Sequence, residues 1–239
     1  NTQFIECPGA YVEPGASAVD ACDLDVQVIV GGDIVDATTP GTYVVSYNAT
    51  DASGNSAAQV TRAVTVQDTA APVITLTGAN PQVIECPDGY TELGATASDN
   101  CDANLGTVII DASSVNASVP GDYLVTYNIT DASGNAALEV TRTVTVQDTT
   151  APVITLTGAN PQTIECPDAY IELGATASDT CDGDLTASIQ IDASSVDTEN
   201  PGTYTVTYNI TDAAGNAATP VTRTVRTVDT TPPVITLNG

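Results

Sequence analysis

The chain has no lysine, histidine, methionine or tryptophan and a single phenylalanine, and each absence removes a chemistry. Without histidine there is no Ser-His-Asp or Cys-His nucleophile and no imidazole metal ligand. Without lysine there is neither a Schiff base nor a lysine-linked isopeptide crosslink. An enzyme is therefore not expected. Positive charge is confined to 4 arginines against 30 Asp and Glu, a formal charge of -26. No basic stripe exists to displace phosphate counterions, which excludes nucleic acid as a partner. Cationic partners are expected instead, divalent metal first. No run approaches ~18 apolar residues, so no membrane span is read in this segment. The N-terminus also lacks the basic and apolar regions of a signal peptide. With Asn1 first and no methionine anywhere, the sequence reads as a processed product or as a window of a longer protein.

Charged residues are 14% of the chain and hydrophobic ones 42%, so it can build cores and is unlike a disordered acidic tail. Self-comparison decides the organisation. The string from Ala71 to Gln82 recurs unchanged from Ala151 to Gln162, and Cys7, Cys86 and Cys166 fall 79 and 80 residues apart. Cys22, Cys101 and Cys181 keep the same two intervals. Three repeats follow, at 1–70, 71–150 and 151–230, with 231–239 as a spare first strand. Within each repeat, apolar and polar residues alternate. Tyr204, Val206, Tyr208 and Ile210 face one way, and Thr205, Thr207, Asn209 and Thr211 the other. Tyr123, Val125, Tyr127 and Ile129 copy the pattern in repeat 2, as do Tyr43, Val45, Tyr47 and Ala49 in repeat 1. Period two marks half-buried strands, and Leu185, Ala187, Ile189 and Ile191 are read as another such face. Short β-branched runs between Gly, Pro, Asn and Asp turns predict an all-β fold of three tandem immunoglobulin-like β-sandwich domains in a linear array.

The segments at 148–158, Ile164-Glu165-Cys166, 179–185, 201–204 and Asp212-Ala-Ala-Gly-Asn216 carry a resemblance. The chain resembles bacterial immunoglobulin-like surface repeats of the hyalin-repeat and cadherin-like group. That resemblance implies a seven-stranded sandwich, secretion to the cell surface and calcium at the seams between repeats. Repeat 2 departs from repeat 3 at Ala103 and Asn104, where repeat 3 has Gly183 and Asp184. Whatever that loop binds is expected to be held less well by repeat 2.

The six cysteines come two per repeat, 15 residues apart. A thiolate metal site would need four ligands, so disulfides are the better reading. A hairpin turning at Leu93-Gly94, or at Pro14-Gly15 in repeat 1, would set the two cysteines of a repeat opposite each other. The expected pairs are Cys7 with Cys22, Cys86 with Cys101 and Cys166 with Cys181, in an oxidising extracellular setting.

Aspartates flank the second cysteine of each repeat at Asp20 and Asp23, Asp99 and Asp102, and Asp179 and Asp182. Asp51, Asp131 and Asp212 open a Gly-Asn loop, and Asp68, Asp148 and Asp229 lie in the linkers. In an immunoglobulin-like sandwich the B–C loop, the F–G loop and the incoming linker emerge at one end. Six to eight oxygens from such loops suit calcium, the expected cofactor, and Glu6, Glu85 and Glu165 are further candidate ligands. Two like charges 4 Å apart cost roughly 4 kcal/mol at an effective dielectric near 20, and no lysine is present to offset them. Halophilic adaptation would also give an acidic, lysine-free chain but would not require aspartates at repeated loop positions.

Arg62, Arg142 and Arg223 share strand parity with core valines and are expected to snorkel at strand ends or pair with an aspartate. Tyr43, Tyr123 and Tyr204 each follow Pro-Gly-x at a strand start, where a tyrosine corner would set the hydroxyl against backbone. Asn48, Asn116, Asn128 and Asn209 stand in glycosylation sequons that threonine-rich strands also produce by chance.

The leading functional reading is an extracellular structural protein. It would be a stalk or filament subunit, stapled by disulfides and stiffened by calcium, polymerising head to tail when the 231–239 strand of one copy completes repeat 1 of the next. The alternative is an adhesin arm presenting a face to a glycan or another cell surface; scarce exposed aromatics weigh against it.

Overall fold

The computed structural model describes residues 2–237, so Asn238 and Gly239 of the expected spare strand lie outside the described residues. Backbone contacts divide the chain into two compact units. One comprises Asn1–Pro81, Glu92–Ser114 and Leu124–Thr143, the other Gln82–Thr91, Val115–Tyr123 and Val144–Gly239.

In the first unit, β1 (Thr2–Glu6), β2 (Val28–Gly32), β3 (Gly41–Ala49) and β4 (Val60–Gln67) form a sheet in the order β1-β4-β3-β2. β1 runs parallel to β4, with Glu6 opposite Gln67, and β3 runs antiparallel to both β2 and β4. β5 (Val73–Leu76) is followed by β6 (Gln82–Glu85) and β7 (Ala95–Ser98), and β5 pairs antiparallel with β7. The division between the units runs through β9 (Gly121–Asn128) and β10 (Val140–Gln147), which with β8 (Ile109–Asp111) and the second unit's β6 form a sheet of order β6-β10-β9-β8.

The second unit shows a full sandwich. β11 (Val153–Leu156), β13 (Ala175–Asp179) and β14 (Gly183–Asp184) make one sheet. β12 (Gln162–Glu165), β15 (Gln190–Asp192), β16 (Gly202–Asn209) and β17 (Val221–Val228) make the other, in the order β12-β17-β16-β15. Ile154 and Ala177 of the first sheet meet Ile164, Val206, Tyr208 and Val225 of the second, and this is the core. The alternation read from the sequence is what places these side chains inside, because successive residues of a pleated strand face opposite ways. Each tyrosine corner also forms: Tyr43, Tyr123 and Tyr204 donate their hydroxyls to the carbonyls of Thr39, Val119 and Asn200, each at 2.9 Å.

Three expectations need correction. The face expected over Leu185–Ile191 is interrupted by a 3-10 turn at Thr186–Ser188. The Asp184 carboxylate accepts the Thr186 N–H at 2.9 Å and closes a local turn that competes with strand pairing.

The core arginines neither snorkel nor choose aspartate. Arg142 and Arg223 are both 0% exposed. Arg223 donates to the carbonyls of Ala159, Thr157 and Gly174 and to the Tyr208 hydroxyl, under whose ring it stacks. Arg142 pairs with Glu92 at 3.2 Å, and Arg62 with Glu13 at 3.1 Å. A guanidinium presents five fixed donors, and an array of backbone carbonyls plus one carboxylate is what allows its burial.

The disulfides are the largest correction. Cys7 bonds Cys101 and Cys86 bonds Cys181, with Cα–Cα distances of 5.6 and 5.4 Å, while Cys22 and Cys166 are free. None of the expected pairs Cys7–Cys22, Cys86–Cys101 or Cys166–Cys181 forms. The reason is visible in repeat 1. Because β1 is parallel to β4, Cys7 leaves β1 beside the C-terminal end of β4, donating its N–H to the Gln67 carbonyl at 2.8 Å. Cys22 sits in a loop tied to the other end, where Asp23 accepts the Ala52 N–H at 2.9 Å, just past β3. The eight residues of β4 span roughly 23 Å between those ends, and a disulfide needs Cα atoms within about 7 Å. Repeat 3 repeats the arrangement: Cys166 donates to the Val228 carbonyl at the end of β17, and Asp182 accepts from Ala213 beyond the end of β16. The first cysteine of a repeat therefore meets the second cysteine of the repeat after it.

Candidate metal centres at the repeat seams

Each linker aspartate arrives at the loop end of the following repeat. Asp68, Asp102 and Asp131 offer carboxylate oxygens within 4.8 Å of one another in the first unit, and Asp148, Asp179 and Asp212 do so in the second. The loops are built locally. Asp99 accepts the N–H groups of Cys101 and Asp102 at 2.7 and 3.0 Å, and Asp179 those of Cys181 and Asp182 at the same distances. Asp102 and Asp182 each accept an N–H from the Gly-Asn loop, at Ala132 and Ala213, both at 2.8 Å. In that loop Asp131 and Asp212 are gripped through both oxygens by Asn135 and Asn216. The same asparagines donate to the Asp68 and Asp148 carbonyls at 3.1 Å, fastening the linker.

The electrostatics of the two clusters match. Burial, reinforced by Asp99, Asp131 and Asp102, pushes the Asp68 carboxyl above its usual range; burial, with Asp179, Asp212 and Asp182, does the same to Asp148. For Asp131 and Asp212 burial acts in the same direction, but hydrogen bonds from Asn135 and Asn216 outweigh it and hold both low. Three carboxylate oxygens are buried without a partner: Asp68 Oδ2, Asp148 Oδ2 and Asp179 Oδ2. An orphaned buried carboxylate oxygen is costly, and a cluster of three hard oxygen donors that includes it fits a divalent cation. Cys181 also approaches Asp148 and Asp182, but its sulfur is committed to the disulfide.

The other expected ligands stand elsewhere. Glu6, Glu85 and Glu165 face the linker threonines, accepting the N–H of Thr69, Thr149 and Thr230 at 2.7, 2.6 and 2.6 Å and their hydroxyls as well. Those backbone hydrogen bonds, first among several, hold the three carboxyls below the usual glutamate range. Among the described residues, Asp20, Asp23, Asp51, Asp99 and Asp229 join no acidic cluster. Asp20 nonetheless accepts the N–H groups of Cys22 and Asp23 just as Asp99 and Asp179 do for theirs. The departure at Ala103 and Asn104 falls outside the cluster. Gly183 takes φ +74°, a left-handed conformation open to glycine, and leads the short strand β14.

The family described as "Bacterial surface protein, Ig-like domain" matches residues 1–66, 74–146 and 154–227. The chain belongs to that family. Hyalin of Lytechinus variegatus is 34% identical over 94% of this chain and 43% of its own length. The pesticidal crystal protein Cry22Aa of Bacillus thuringiensis is 29% identical over 88% of this chain and 29% of its own. The chain thus spans less than half the length of these curated relatives. Among solved structures, Drosophila N-cadherin EC1-3 is 13% identical over 96% of this chain and 98% of that one, with a TM-score of 0.37. The family is one of surface proteins, and its three tandem repeats here, with two disulfides, fit an extracellular or cell-surface location. No helix among the described residues is long and apolar enough to cross a membrane.

Sequence reasoning missed Asn135 and Asn216 as linker clamps and Glu13, Glu92 and Glu172 as anchors of the buried arginine–tyrosine groups. Both had a signal. The asparagines close the recurrent Gly-Asn loop, and each glutamate stands two residues before a glycine that recurs as Gly15, Gly94 and Gly174.

Proposed function

We propose that this chain is a segment of an extracellular stalk or filament whose seams are stiffened by calcium and stapled by disulfides. The repeats run 1–70, 71–150 and 151–230. Asp68, Asp99, Asp102 and Asp131 would hold one ion and Asp148, Asp179, Asp182 and Asp212 another. The ion supplies positive charge where four carboxylates would otherwise repel, and it ties a linker to two loops. The observation that carries this reading is the set of orphaned oxygens on Asp68, Asp148 and Asp179, two of them on linkers. A cation bound only by the folded seam adds stability by mass action.

Head-to-tail assembly belongs to the same reading. β5 and β11 each pair with a strand of their own repeat, β7 and β13. The matching first-strand residues near the C-terminus, Val234, Ile235 and Leu237, are about nine-tenths exposed, at 90%, 89% and 91%. In repeat 1 the segment matching β7 pairs with no strand among the described residues and borders a groove of 300 Å³. The C-terminal strand of one copy would fill that groove in the next, and an open heterologous contact of this kind propagates into a filament.

Calcium titration by calorimetry, with thermal melts in calcium and in chelator, tests the first part. Heat release and a melting point several degrees higher in calcium are expected; no heat and identical melts would overturn it. Electron microscopy of the chain with and without residues 231–239 tests the second. Filaments unaffected by the deletion would overturn strand donation.

A further inference from the structure

At the seam of the second unit, sulfur stands among the carboxylates. The Sγ of Cys181 and carboxylate oxygens of Asp148 and Asp182 all lie within 4.8 Å of one another. Cys86 brings a second sulfur to the same place, because it is bonded to Cys181 and donates its N–H to the carbonyl of Gln147, the residue before Asp148. Asp148, which the sulfur approaches, is 8% exposed and leaves its Oδ2 without a partner. Asp179, two residues before Cys181, does the same at 9% exposure. Both are uncompensated acceptors that a cation would satisfy.

The seam of the first unit differs. Its group is Asp68, Asp102 and Asp131, and among the described residues no sulfur joins it. In repeat 3 the loop that carries Cys181 is closed by β14, where Gly183 pairs with Asp179; among the described residues repeat 2 has no strand matching β14.

The state of the disulfide decides what the second seam can bind. Closed, its sulfurs carry no charge and add nothing to a seat of hard oxygens. Open, it yields two thiolates beside two aspartates, which makes the four donors that a tetrahedral zinc site needs. Zinc takes sulfur at about 2.3 Å and carboxylate oxygen at about 2.1 Å, so donors on one ion stand about 3.6 Å apart. A closing movement of roughly 1 Å would bring Cys181, Asp148 and Asp182 to that spacing, and opening the bond lets the two sulfurs part to it.

We infer that the second unit's seam is a redox-gated metal site: with Cys86–Cys181 open, Cys86, Cys181, Asp148 and Asp182 bind a thiophilic divalent cation of the zinc class. The closed state is that of the calcium reading above, on which the inference rests for the shared ligands Asp148 and Asp182. Two reduced glutathione thiols open the bond and leave as one oxidised glutathione, while their two protons pass to the sulfurs of Cys86 and Cys181. Zinc then displaces those two protons to solvent. Oxidised glutathione reverses the sequence and releases the ion, and by linkage zinc held on the thiolates opposes closure.

The full chain, reduced with a water-soluble phosphine, is alkylated with iodoacetamide in zinc, in calcium and in chelator, and the cysteines are mapped by peptide. Zinc should slow alkylation of Cys86 and Cys181 at least about tenfold, and calcium should not. Asp148→Asn should lose at least about tenfold in zinc affinity, measured by competition with a chromophoric chelator. Zinc held equally by Asp148→Asn would show thiols binding without the seam and would overturn the inference. So would protection of Cys7 and Cys101 as strong as that of Cys86 and Cys181. Circular dichroism guards against loss of the fold on reduction. The reduced chain should keep its β-sheet signal or regain it in zinc, since metal binding adds folding energy. A chain that stays unfolded in zinc would overturn the inference, as would a folded one whose Cys86 and Cys181 remain freely alkylated. Calcium calorimetry on the oxidised chain separates the two readings. Calcium heat without zinc protection would refute the gated site alone, and zinc protection without calcium heat would refute the calcium seam alone.

Discussion

Removing Cys7 and Cys101 together, as the double alanine variant, should destabilise repeat 1 more than the loss of a hairpin staple would. A disulfide raises folded-state stability chiefly by shrinking the unfolded ensemble, by an amount that grows with the logarithm of the closed loop. The sequence separation is 94, which gives about 4.7 kcal/mol if everything between the cysteines unfolds. If repeat 1 unfolds while repeat 2 stays folded, Cys101 remains fixed near Asp68. The mobile loop then runs from Cys7 to Asp68, about 60 residues, for about 4.3 kcal/mol. A hairpin loop of about 15 residues would give about 3 kcal/mol. For a unit of this size each kcal/mol moves the melting temperature by about 4–8 °C, so a fall of at least about 15 °C is expected in calorimetry for the transition of repeat 1. Cys22→Ser, which breaks no bond, should melt with the parent. A double variant within about 3 °C of the parent would refute the loop-closure reasoning, as would an equal loss in Cys22→Ser.

Glu92→Gln leaves the fully buried Arg142 without its carboxylate and should cost about 3 kcal/mol, whereas Glu13→Gln, opposite an Arg62 that is 20% exposed, should cost about 1; chemical denaturation of both decides. Tyr204→Phe removes one hydrogen bond to the Asn200 carbonyl and should cost about 1 kcal/mol in the same assay. Because the Glu6 and Glu85 carboxyls are held below their unfolded value near 4.5, their contribution is present above that pH and is lost as pH falls through the folded value. Melts in chelator should therefore weaken from pH 5 to pH 3, and the decline should be shallower in the Glu6→Gln/Glu85→Gln variant. The exposed Cys22 should be alkylated faster than Cys166, whose thiol is pushed up by burial and then by Asp229 and Glu165, and the gap should narrow as pH rises.

The repeats, their period and the strand faces were legible in the sequence because they rest on local rules. A pleated strand turns alternate side chains inward whatever surrounds it, so Val206 and Tyr208 could be assigned to the core from spacing alone. The tyrosine corners were legible for the same reason, since the hydroxyl of Tyr204 reaches backbone only four residues away. The gathering of linker, cysteine-loop and Gly-Asn aspartates followed from knowing which ends of a sandwich its loops share. The glutamates were misread because their neighbours in sequence, the cysteines, point to the seam, while their carboxylates turn to linker threonines more than 60 residues away.

What only the tertiary structure decided is which partner each long-range group takes. The burial of Arg223 depended on three carbonyls from two separate turns arriving at one guanidinium, and no spacing within a strand records that convergence. The cysteine pairing turned on a single topological choice. Had the strand before Cys86 run back against the strand before Cys101, the two sulfurs would have faced each other. Instead that strand lies parallel to β10, and its counterparts β1 and β12 lie parallel to β4 and β17, which carries each first cysteine to the far end of its repeat. Fifteen residues of separation permit either arrangement. The choice is made by which sheet edge each strand covers, and so by contacts with segments some 60 residues further along the chain.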